Sequence, residues 1–345
     1  MIYDLVIVGG GPAGATLASL LNKNIKALLI EGDGAEKTCG GLLSPDAQEF
    51  LARLGRTLPS DVLVDPQIFS VRTIDLHTKK ECTYFRNYLN MRRKAFDDWM
   101  LSFIPAHIET IKGVVNSIEA LPSGFLLTCR KDGTQTQIRT RKLVGADGAG
   151  SIVRRTFFPP LETEELVAFQ QWFPASDESQ PPLYTALFDK KTSTACSWTI
   201  QKGEHVLFGG IFPKDHTRQR FEEQKEKLRS VGFEFRRPMR SEGCKVLKPR
   251  SQKSFQCGSH NIFLIGEAAG FISPSSFEGI SYAMKSAYYL SESLKTPNPS
   301  QSYFKMTTGL RNRLLLKLFK ARVMYSPMLR SLALQTGLTG ISPIE

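Results

Sequence analysis

The stretch Tyr3–Asp33, "YDLVIVGGGPAGATLASLLNKNIKALLIEGD", decides the fold. Its pattern predicts a strand, a glycine-rich turn, a helix and a second strand, "ALLIE". Residues 5–8 are apolar and mostly β-branched, which suits a strand buried on both faces, as in a parallel sheet. The order predicts the first βαβ unit of a doubly wound α/β sheet.

The turn carries Gly9, Gly11 and Gly14 in the spacing G-x-G-x-x-G, with Ala13 inside the motif. The first glycine allows the turn, the second lets a pyrophosphate approach the backbone, and the third lets helix and strand pack closely. The helix start offers N–H groups to the phosphate. Glu31 ends the next strand, where a carboxylate can accept hydrogen bonds from the adenosine ribose. The segment predicts a dinucleotide site without choosing between NAD and FAD; a glycine-rich turn without a ligand is the alternative.

Two later strands also end at an acidic residue before a helix start. The strand "KLVGA" is followed by Asp147 and Gly148, and "IFLIG" runs through Gly266 into Glu267. An acid at this position can bind a sugar hydroxyl while backbone amides meet phosphate. No second nucleotide-binding fold is evident that would hold NAD(P)H.

The order of these three motifs resembles the class A flavoprotein hydroxylases and the geranylgeranyl reductase family. Segments such as "CGGLLSPDAQ", "AFQQWF" and "FLIGEAAGFISPSSFEGISYAM" are similar to the CbrA-type branch of that family. The resemblance implies FAD as the cofactor. It also implies an α/β fold: an FAD-binding Rossmann-like doubly wound sheet, an inserted antiparallel β-sheet substrate domain and a helical C-terminus. Glu267 stands where the superfamily has an aspartate that binds the ribitol of FAD.

The resemblance implies further cofactor contacts. Arg93 in "RRKAFDDWM" matches the arginine of an Arg-x-x-Phe-Asp helix that contacts the cofactor. Asp147 and Gly148 are implied to be mainly structural, tying phosphate and backbone together. The helix start beside the flavin pyrimidine edge, with its preceding loop, corresponds to Pro274, Gly279, Ile280 and Ser281.

A Cys-Gly-Gly loop similar to one in the family occurs at Cys39, Gly40 and Gly41, here termed the Cys39 loop. In the family this loop sits by the isoalloxazine ring, so the glycines are expected to let the backbone approach the ring. The thiol would face the substrate and could supply a proton. The alternative is that Cys39 only packs under the flavin as a small buried hydrophobe.

The family's Tyr-x-Trp-x-Phe-Pro strand, which lines the isoprenoid pocket, is altered in this chain. Trp198 is kept, but Cys196, Ile200 and Gln201 replace the Tyr, Phe and Pro. Trp198 is either a pocket wall or a plain core tryptophan. A flavin halogenase is disfavoured, because its Trp-x-Trp-x-Ile-Pro signature would need a tryptophan at position 196.

The reaction implied by the resemblance is hydride transfer from reduced flavin to a double bond of a prenyl or polyprenyl lipid. Electrons would come transiently from NAD(P)H or from a protein donor. An aromatic-hydroxylase-type monooxygenase and a non-catalytic flavin- and lipid-binding protein stay as alternatives, because the FAD motifs specify the cofactor and not the reaction.

Net charge is +12, which favours an anionic partner. About half of this excess lies after Pro299, where Glu345 is the single acid. The stretch around Leu314, Leu315, Leu318, Phe319 and Val323 predicts a helix with an apolar stripe and a basic face. That helix packs on the body, lies at an anionic membrane surface, or does both. No reading motif for nucleic acid is present.

The composition predicts a cytoplasmic protein, with membrane association through the tail as the open possibility. The six cysteines are scattered without a CxxC pair, the five histidines show no metal spacing, and no secretory signal or run of about 18 apolar residues occurs. No metal site is expected. The predicted domains are a discontinuous FAD-binding domain at 1–75, 90–160 and 250–298, a substrate domain at 76–89 and 161–249, and basic C-terminal helices at 299–345.

Overall fold

The computed structural model describes residues 1–32, 37–175 and 184–336. The strands in these ranges are Ile2–Val8 (β1), Ala27–Glu31 (β2), Leu42–Leu43 (β3), Ile68–Asp75 (β4), Lys80–Asn90 (β5), Glu109–Lys112 (β6), Val114–Leu121 (β7), Gly124–Lys131 (β8), Thr134–Gly145 (β9), Thr163–Pro174 (β10), Tyr184–Phe188 (β11), Cys196–Lys202 (β12), His205–Pro213 (β13), Arg240–Pro249 (β14), Gly258–Ser259 (β15) and Ile262–Leu264 (β16).

The α-helices in the same ranges are Pro12–Leu20 (α1), Pro45–Arg53 (α2), Arg93–Leu101 (α3), Ile152–Phe157 (α4), Thr217–Arg229 (α5), Ile280–Ser293 (α6), Pro299–Met306 (α7), Thr308–Tyr325 (α8) and Pro327–Thr336 (α9). Short 3₁₀ helices lie at Gln252–Ser254 and Gly266–Ala269. The end of the predicted C-terminal region, 337–345, lies outside the described residues.

The chain divides into two compact units. Among the described residues, unit 1 holds 1–32, 94–164 and 247–316, and unit 2 holds 37–93, 165–175, 184–246 and 317–336. This differs from the predicted boundaries, which placed 37–75 and 90–93 with the FAD-binding domain. The cause is strand pairing: β4 pairs with β5 and β11, and β3 pairs with β5, so this whole segment joins the sheet of unit 2.

The predicted tail is also divided. Residues up to 316 belong to unit 1 because α7 and the start of α8 contribute to its core. Tyr303 is fully buried there, and its hydroxyl donates to the carbonyl oxygen of Leu264 at 2.9 Å.

The sheet of unit 1 is built on five parallel strands in the order β16-β9-β1-β2-β6. β15 pairs antiparallel with β16, and β7 and β8 extend β9 as an antiparallel meander. Leu5, Val6 and Ile7 in the central strand are almost fully buried, as their apolar run predicts. Burying each such side chain contributes roughly 1.5–3 kcal/mol. The doubly wound core therefore forms around the opening sequence.

The sheet of unit 2 has the order β14-β10-β13-β12-β11-β4-β5-β3. Its pairs β10–β13, β12–β13 and β11–β12 are antiparallel, whereas β11 and β4 run parallel. Aromatic side chains fill the core between this sheet and α5; the Phe208 and Phe221 rings stack with centroids 4.6 Å apart. The alternating sequence between Glu165 and Phe212 thus forms the expected antiparallel strands.

An ion pair inside unit 2 holds α9 to the end of β4. Arg330 is 1% exposed, and its Nε and Nη2 donate to Asp75 Oδ2 at 3.1 and 2.7 Å. The guanidinium also lies 4.6 Å from the centroid of the Phe188 ring. Burial raises the pKa of Asp75, but the hydrogen bond and charge of Arg330 outweigh it, so the pKa is lowered overall.

The apolar stripe expected along α8 is wrong in its details. Leu314 is buried, but Phe319 is 71% exposed; the buried apolar side chains on this helix are Leu310, Leu314, Ala321 and Met324. Positions spaced four apart drift around a helix of 3.6 residues per turn, whereas alternating steps of four and three stay on one face.

Candidate functional site

The carboxyl ends of four parallel strands of unit 1 meet at one edge of its sheet, here termed the carboxyl edge. In chain order these strands are β1, β2, β9 and β16. Gly9, Glu31, Asp147 and Gly266 lie at or just after their ends. In open α/β sheets ligands bind outside this edge. The structure therefore brings together the three motifs that the sequence places far apart.

The glycine turn is packed on one side and open on the other. Gly9 has φ +110°, and a Cβ there would lie 2.5 Å from the Ala146 carbonyl oxygen. A Cβ on Gly14 would lie 1.9 Å from the Gly9 carbonyl oxygen, so α1 packs directly on β1. A Cβ on Gly11 would meet nothing within 4 Å. Gly11 caps α1 without a side-chain hydrogen bond, which leaves this helix start suited to a phosphate.

Glu31 and Ala13 extend the same edge. A Cβ at Gly10 would lie 2.9 Å from Glu31 Cγ, so the Glu31 side chain lies close over the turn. Ala13 is buried, and its Cβ would be 3.0 Å from a Cβ on Gly266. Small residues at these positions let the turn, β2 and the segment after β16 approach one another.

Asp147 joins the turn after β9 to the start of α4, and its predicted tie to the cofactor phosphate stays a prediction. Its Oδ2 accepts hydrogen bonds from the backbone N–H groups of Ile152 at 2.7 Å and Val153 at 3.4 Å, at the start of α4. Burial raises the pKa of Asp147, and hydrogen bonds to the carboxylate oppose that rise. Gly148 has φ +70°, and a Cβ there would meet nothing within 4 Å. The side chain thus fixes the turn, and the backbone beside it stays accessible to a ligand.

Glu267 is buried in the short 3₁₀ helix after β16. Its Oε1 accepts from the backbone N–H of Leu247 at 3.0 Å. Gly266, with φ +58°, donates its own N–H to Ser286 Oγ at 2.9 Å and so joins the turn to α6. The carboxylate therefore has a structural partner besides the ribitol contact that the resemblance implies.

The start of α6 carries a capping carboxylate that the sequence interpretation missed. Glu278 Oε1 accepts from the N–H of Ser281 at 2.7 Å, and Oε2 accepts from its Oγ at 2.8 Å. Ser281, Ile280 and Pro274 are buried, and Gly279 is the N-cap of the helix. An acid just before a helix start, where a carboxylate can accept from the free N–H groups of the first turn, is the signal that could have revealed this contact. The predicted flavin contact of this segment stays a prediction.

Arg93 is the first residue of α3 and is buried, although arginine is usually exposed. This burial is compatible with a role that holds the side chain in one place. Its predicted contact with the cofactor stays a prediction.

The Cys39 loop lies on the sheet of unit 2. A Cβ on Gly40 would lie 2.9 Å from Ile200 Cδ1 and 3.6 Å from Trp198 Nε1, so the backbone packs closely on these two side chains. The Cys39 carbonyl oxygen accepts from Gln170 Nε2 at 3.3 Å. The N–H of Gly41, which has φ +62°, donates to Cys39 Sγ at 3.3 Å.

Trp198 belongs to a row that crosses the sheet under this loop. Gly209 pairs with Gln170 on one side and with Trp198 on the other. A Cβ on Gly209 would lie 2.7 Å from both side chains. Trp198 is 9% exposed, and its Nε1 has no hydrogen-bond partner among the described residues. Trp198 therefore packs directly against the Cys39 loop, and its predicted role as a pocket wall stays a prediction.

Lys202, at the end of β12, also contacts the loop and was not singled out from the sequence. Its Nζ donates to the carbonyl oxygens of Gly41 at 2.8 Å and Met91 at 2.9 Å. Burial lowers its pKa from 10.5 to about 7, and the nearby Cys39 opposes this shift. The signal in the sequence is that Lys202 continues the alternating face formed by Cys196, Trp198 and Ile200.

Comparison with known proteins identifies the family. Residues 125–298 match the family model described as an FAD binding domain. Over 352 aligned residues the chain is 41% identical to Protein CbrA of Escherichia coli O9:H4 (strain HS), covering 99% of this chain and 96% of that protein. The chain belongs to the family of Protein CbrA, whose members share this FAD binding domain.

Two solved structures share the fold of this flavoprotein. A geranylgeranyl bacteriochlorophyll reductase-like protein from Thermoplasma acidophilum aligns with a TM-score of 0.80 at 18% identity, covering 94% of this chain and 88% of that one. PqsL from Pseudomonas aeruginosa, described as a probable FAD-dependent monooxygenase, aligns with a TM-score of 0.73 at 15% identity, covering 99% of this chain and 100% of that one. The predicted fold class is confirmed.

The residues of unit 1 fit FAD. A side chain at position 11 or 148 would enter open space that glycine leaves free for a ligand, and the start of α1 has no side-chain cap. Glu31 and Glu267 are the acids that would hold the two sugar portions of the cofactor. In the described ranges, no group of three or more His, Cys, Asp or Glu side chains could hold a metal ion.

Proposed function

We propose that this flavoprotein reduces carbon–carbon double bonds of a prenyl or polyprenyl lipid. The observation that carries the proposal is the packing of the Cys39 loop, in which Gly40, the residue after the thiol, lies against the side chains of Trp198 and Ile200. An apolar wall beside one acid–base group suits an alkene, which offers no polar atom at the reacting carbons. The name of the Thermoplasma acidophilum neighbour supports the same reaction class.

Reducing an alkene adds a hydride to one carbon and a proton to the other. FAD, when bound and reduced, supplies the hydride. Cys39 donates its S–H proton to the second carbon, and the resulting thiolate takes a proton back from water. The N–H of Gly41, 3.3 Å from Cys39 Sγ, stabilises the thiolate by a charge-assisted hydrogen bond. Trp198 supports the alkyl chain.

The electrons are proposed to come from NAD(P)H bound transiently or from a protein donor. Over the parts of the chain that the structure describes, the one glycine motif at a strand end is that of Gly9, Gly11 and Gly14. FAD occupies this motif in the proposal, so a second nucleotide would have to bind without a Rossmann site of its own.

In this proposal the enzyme binds its lipid substrate at an anionic membrane surface. Phe319 and Met328, on the C-terminal helices of unit 2, are 71% and 84% exposed, and Lys317 and Arg322 lie on the same helices. Exposed apolar side chains among cations suit an acidic lipid surface. No helix in the described ranges is long and apolar enough to cross a bilayer. Co-sedimentation with anionic but not with neutral vesicles is expected.

An FAD-dependent monooxygenase is the second candidate, because PqsL shares the fold over almost the whole chain. The carboxyl edge of unit 1 would bind FAD in a reductase and in a monooxygenase alike, so it does not distinguish the two reactions. A monooxygenase would consume oxygen and NAD(P)H together and yield a hydroxylated product, which separates the two candidates in one assay.

The deciding experiment is anaerobic. The flavin is reduced with dithionite, and prenyl diphosphates and polyprenyl phosphates are added one at a time. Flavin reoxidation, with a product that is two mass units heavier, is the expected result. A flavin that stays reduced with every lipid until air enters would contradict the reductase and favour the monooxygenase or a purely lipid-binding flavoprotein.

A further inference from the structure

Lys202 is a buried cation whose two acceptors are backbone oxygens. It is 5% exposed, and the carbonyl oxygens of Gly41 and Met91 lie 2.8 and 2.9 Å from its Nζ. Among the described residues it forms no ion pair with a carboxylate. A buried ammonium is costly unless its hydrogen bonds are satisfied, so a hydrophobic residue would serve packing at lower cost. The position therefore calls for an explanation other than core packing.

The ammonium joins three segments that are distant in sequence. β12 supplies Lys202, the Cys39 loop supplies Gly41, and the residue after β5 supplies Met91. The Gly41 carbonyl also accepts from the N–H of Met91 at 2.9 Å. A Cβ on Gly41 would lie 2.5 Å from Lys202 Nζ. Gly41 is thus the residue that makes room for the ammonium, in addition to adopting φ +62°.

The two peptide units that flank Gly41 connect the lysine to the thiol. The N–H of Gly41 donates to Cys39 Sγ at 3.3 Å, while the carbonyl of Gly41 accepts from Lys202. Because the two groups are only the Gly41 φ and ψ rotations apart, holding the carbonyl also restrains the donor that faces the sulfur. On the other flank, Gln170 Nε2 binds the Cys39 carbonyl at 3.3 Å.

We propose that Lys202 is a positioning residue, which holds Gly41 so that the Cys39 thiol and the Gly40–Gly41 backbone keep the geometry needed for proton delivery. This inference rests on the proposed function for its catalytic consequence, but the contact itself is testable without any substrate. The lysine acts through the Cys39 loop and has no direct part in the chemistry.

The test compares Lys202→Met with a matched control, Lys225→Met. Lys225 is a second buried lysine of unit 2, and its Nζ contacts Gln171 and Glu222 instead of the loop. Hydrogen–deuterium exchange of the purified holoprotein is followed in peptides that contain Gly41 and Met91. Lys202→Met is expected to speed exchange at these two amides by about tenfold and to leave the strands of unit 1 unchanged. Lys225→Met should leave the loop amides at the wild-type rate.

The kinetic readout then separates positioning from general stability. With a lipid that the wild-type enzyme reduces, Lys202→Met is expected to lower kcat about tenfold with little change in KM and an unchanged FAD content. The proposal would be overturned if the Gly41 and Met91 amides of Lys202→Met exchanged at the wild-type rate. It would also be overturned if Lys225→Met raised the exchange rate of these amides equally.

Two further outcomes are distinguishable. If the wild-type protein reduces no lipid, the proposed function fails while the exchange result still decides whether Lys202 fixes the loop. If Lys202→Met does not fold, Lys202→Leu, a smaller apolar side chain without an N–H donor, is measured in the same way. Loop amides that exchange at the wild-type rate in Lys202→Leu would then count against the proposal.

Discussion

The carboxyl edge of unit 1 and the Cys39 loop of unit 2 are built in opposite ways. At the edge, glycines shape the backbone within a few residues, as when Gly14 packs on Gly9. At the loop, side chains from remote strands set the geometry: Gln170 reaches Cys39 across 131 positions, and Lys202 reaches Gly41 across 161. A site shaped by local backbone geometry can be recognised from a sequence motif. A site formed by side chains that are distant in the sequence becomes visible only in the folded structure. The predictions below test this difference.

The largest effect is expected at Gly14. Gly14→Ala places a Cβ 1.9 Å from the Gly9 carbonyl oxygen, so α1 must move away from β1. Because the clash is with a backbone atom, the cost should exceed the usual overpacking range and reach about 5 kcal/mol or more, and bound FAD should be lost. Flavin absorbance per chain and urea unfolding measure the two consequences.

Gly11→Ala is the matched control at the same turn, because its Cβ meets nothing within 4 Å. Stability should stay within about 0.5 kcal/mol while FAD affinity falls, since the methyl group enters the space left for pyrophosphate. Full FAD content in both variants would show that the edge does not hold the cofactor.

Next in size is the buried pair of unit 2. Arg330→Met leaves Asp75 buried without its cation and should lower the free energy of unfolding by about 3–5 kcal/mol. The exposed pair Arg72–Glu81 is the control, and Arg72→Met should cost about 1 kcal/mol or less.

The pH dependence of the same pair has a defined sign. The folded-state pKa of Asp75 is lowered, so the pair's contribution is present above the unfolded pKa, about 3.9, and is lost as pH falls through the folded value. Urea unfolding between pH 7 and pH 3 should show a steeper loss of stability in the wild type than in Arg330→Met. Parallel curves would contradict this assignment.

A smaller free-energy effect is expected at the thiol. Cys39→Ala should keep FAD bound, because the cofactor edge belongs to unit 1, and should slow lipid reduction about 10–100-fold. Single-turnover kinetics with the reduced enzyme measure the rate. Reduction at the wild-type rate would exclude Cys39 as the proton donor and leave the role to water.

The smallest effect is expected for Glu267→Gln. The amide oxygen can still accept from the N–H of Leu247, so the turn should keep its shape while the charge is lost. FAD affinity should fall only a few-fold, on the order of 1 kcal/mol. Glu267→Ala, which loses both functions, should weaken FAD retention further. Unchanged flavin content in Glu267→Ala would remove Glu267 from the cofactor site.

Much of unit 1 follows from local patterns. The apolar run of β1 and the spacing of Gly9, Gly11 and Gly14 predict the strand, the turn and the helix, and the structure has them there. The extent of unit 2 was not predictable in the same way, because 37–75 joins its sheet through the pairing of β4 with β11. Strand partners more than a hundred residues apart leave no local signal.

The amino-acid sequence by itself determined the first strand, the nucleotide turn with its helix, and the acids at the strand ends, because each depends on neighbours within a few residues. The tertiary structure alone decided that Lys202 holds the Cys39 loop, that Arg330 pairs with Asp75 and that Trp198 lies beneath Gly40. A lysine or arginine in a sequence carries no mark of burial. Burial in the folded protein removes the charged group from water, and hydrogen-bond or ion-pair partners must then compensate for the lost hydration.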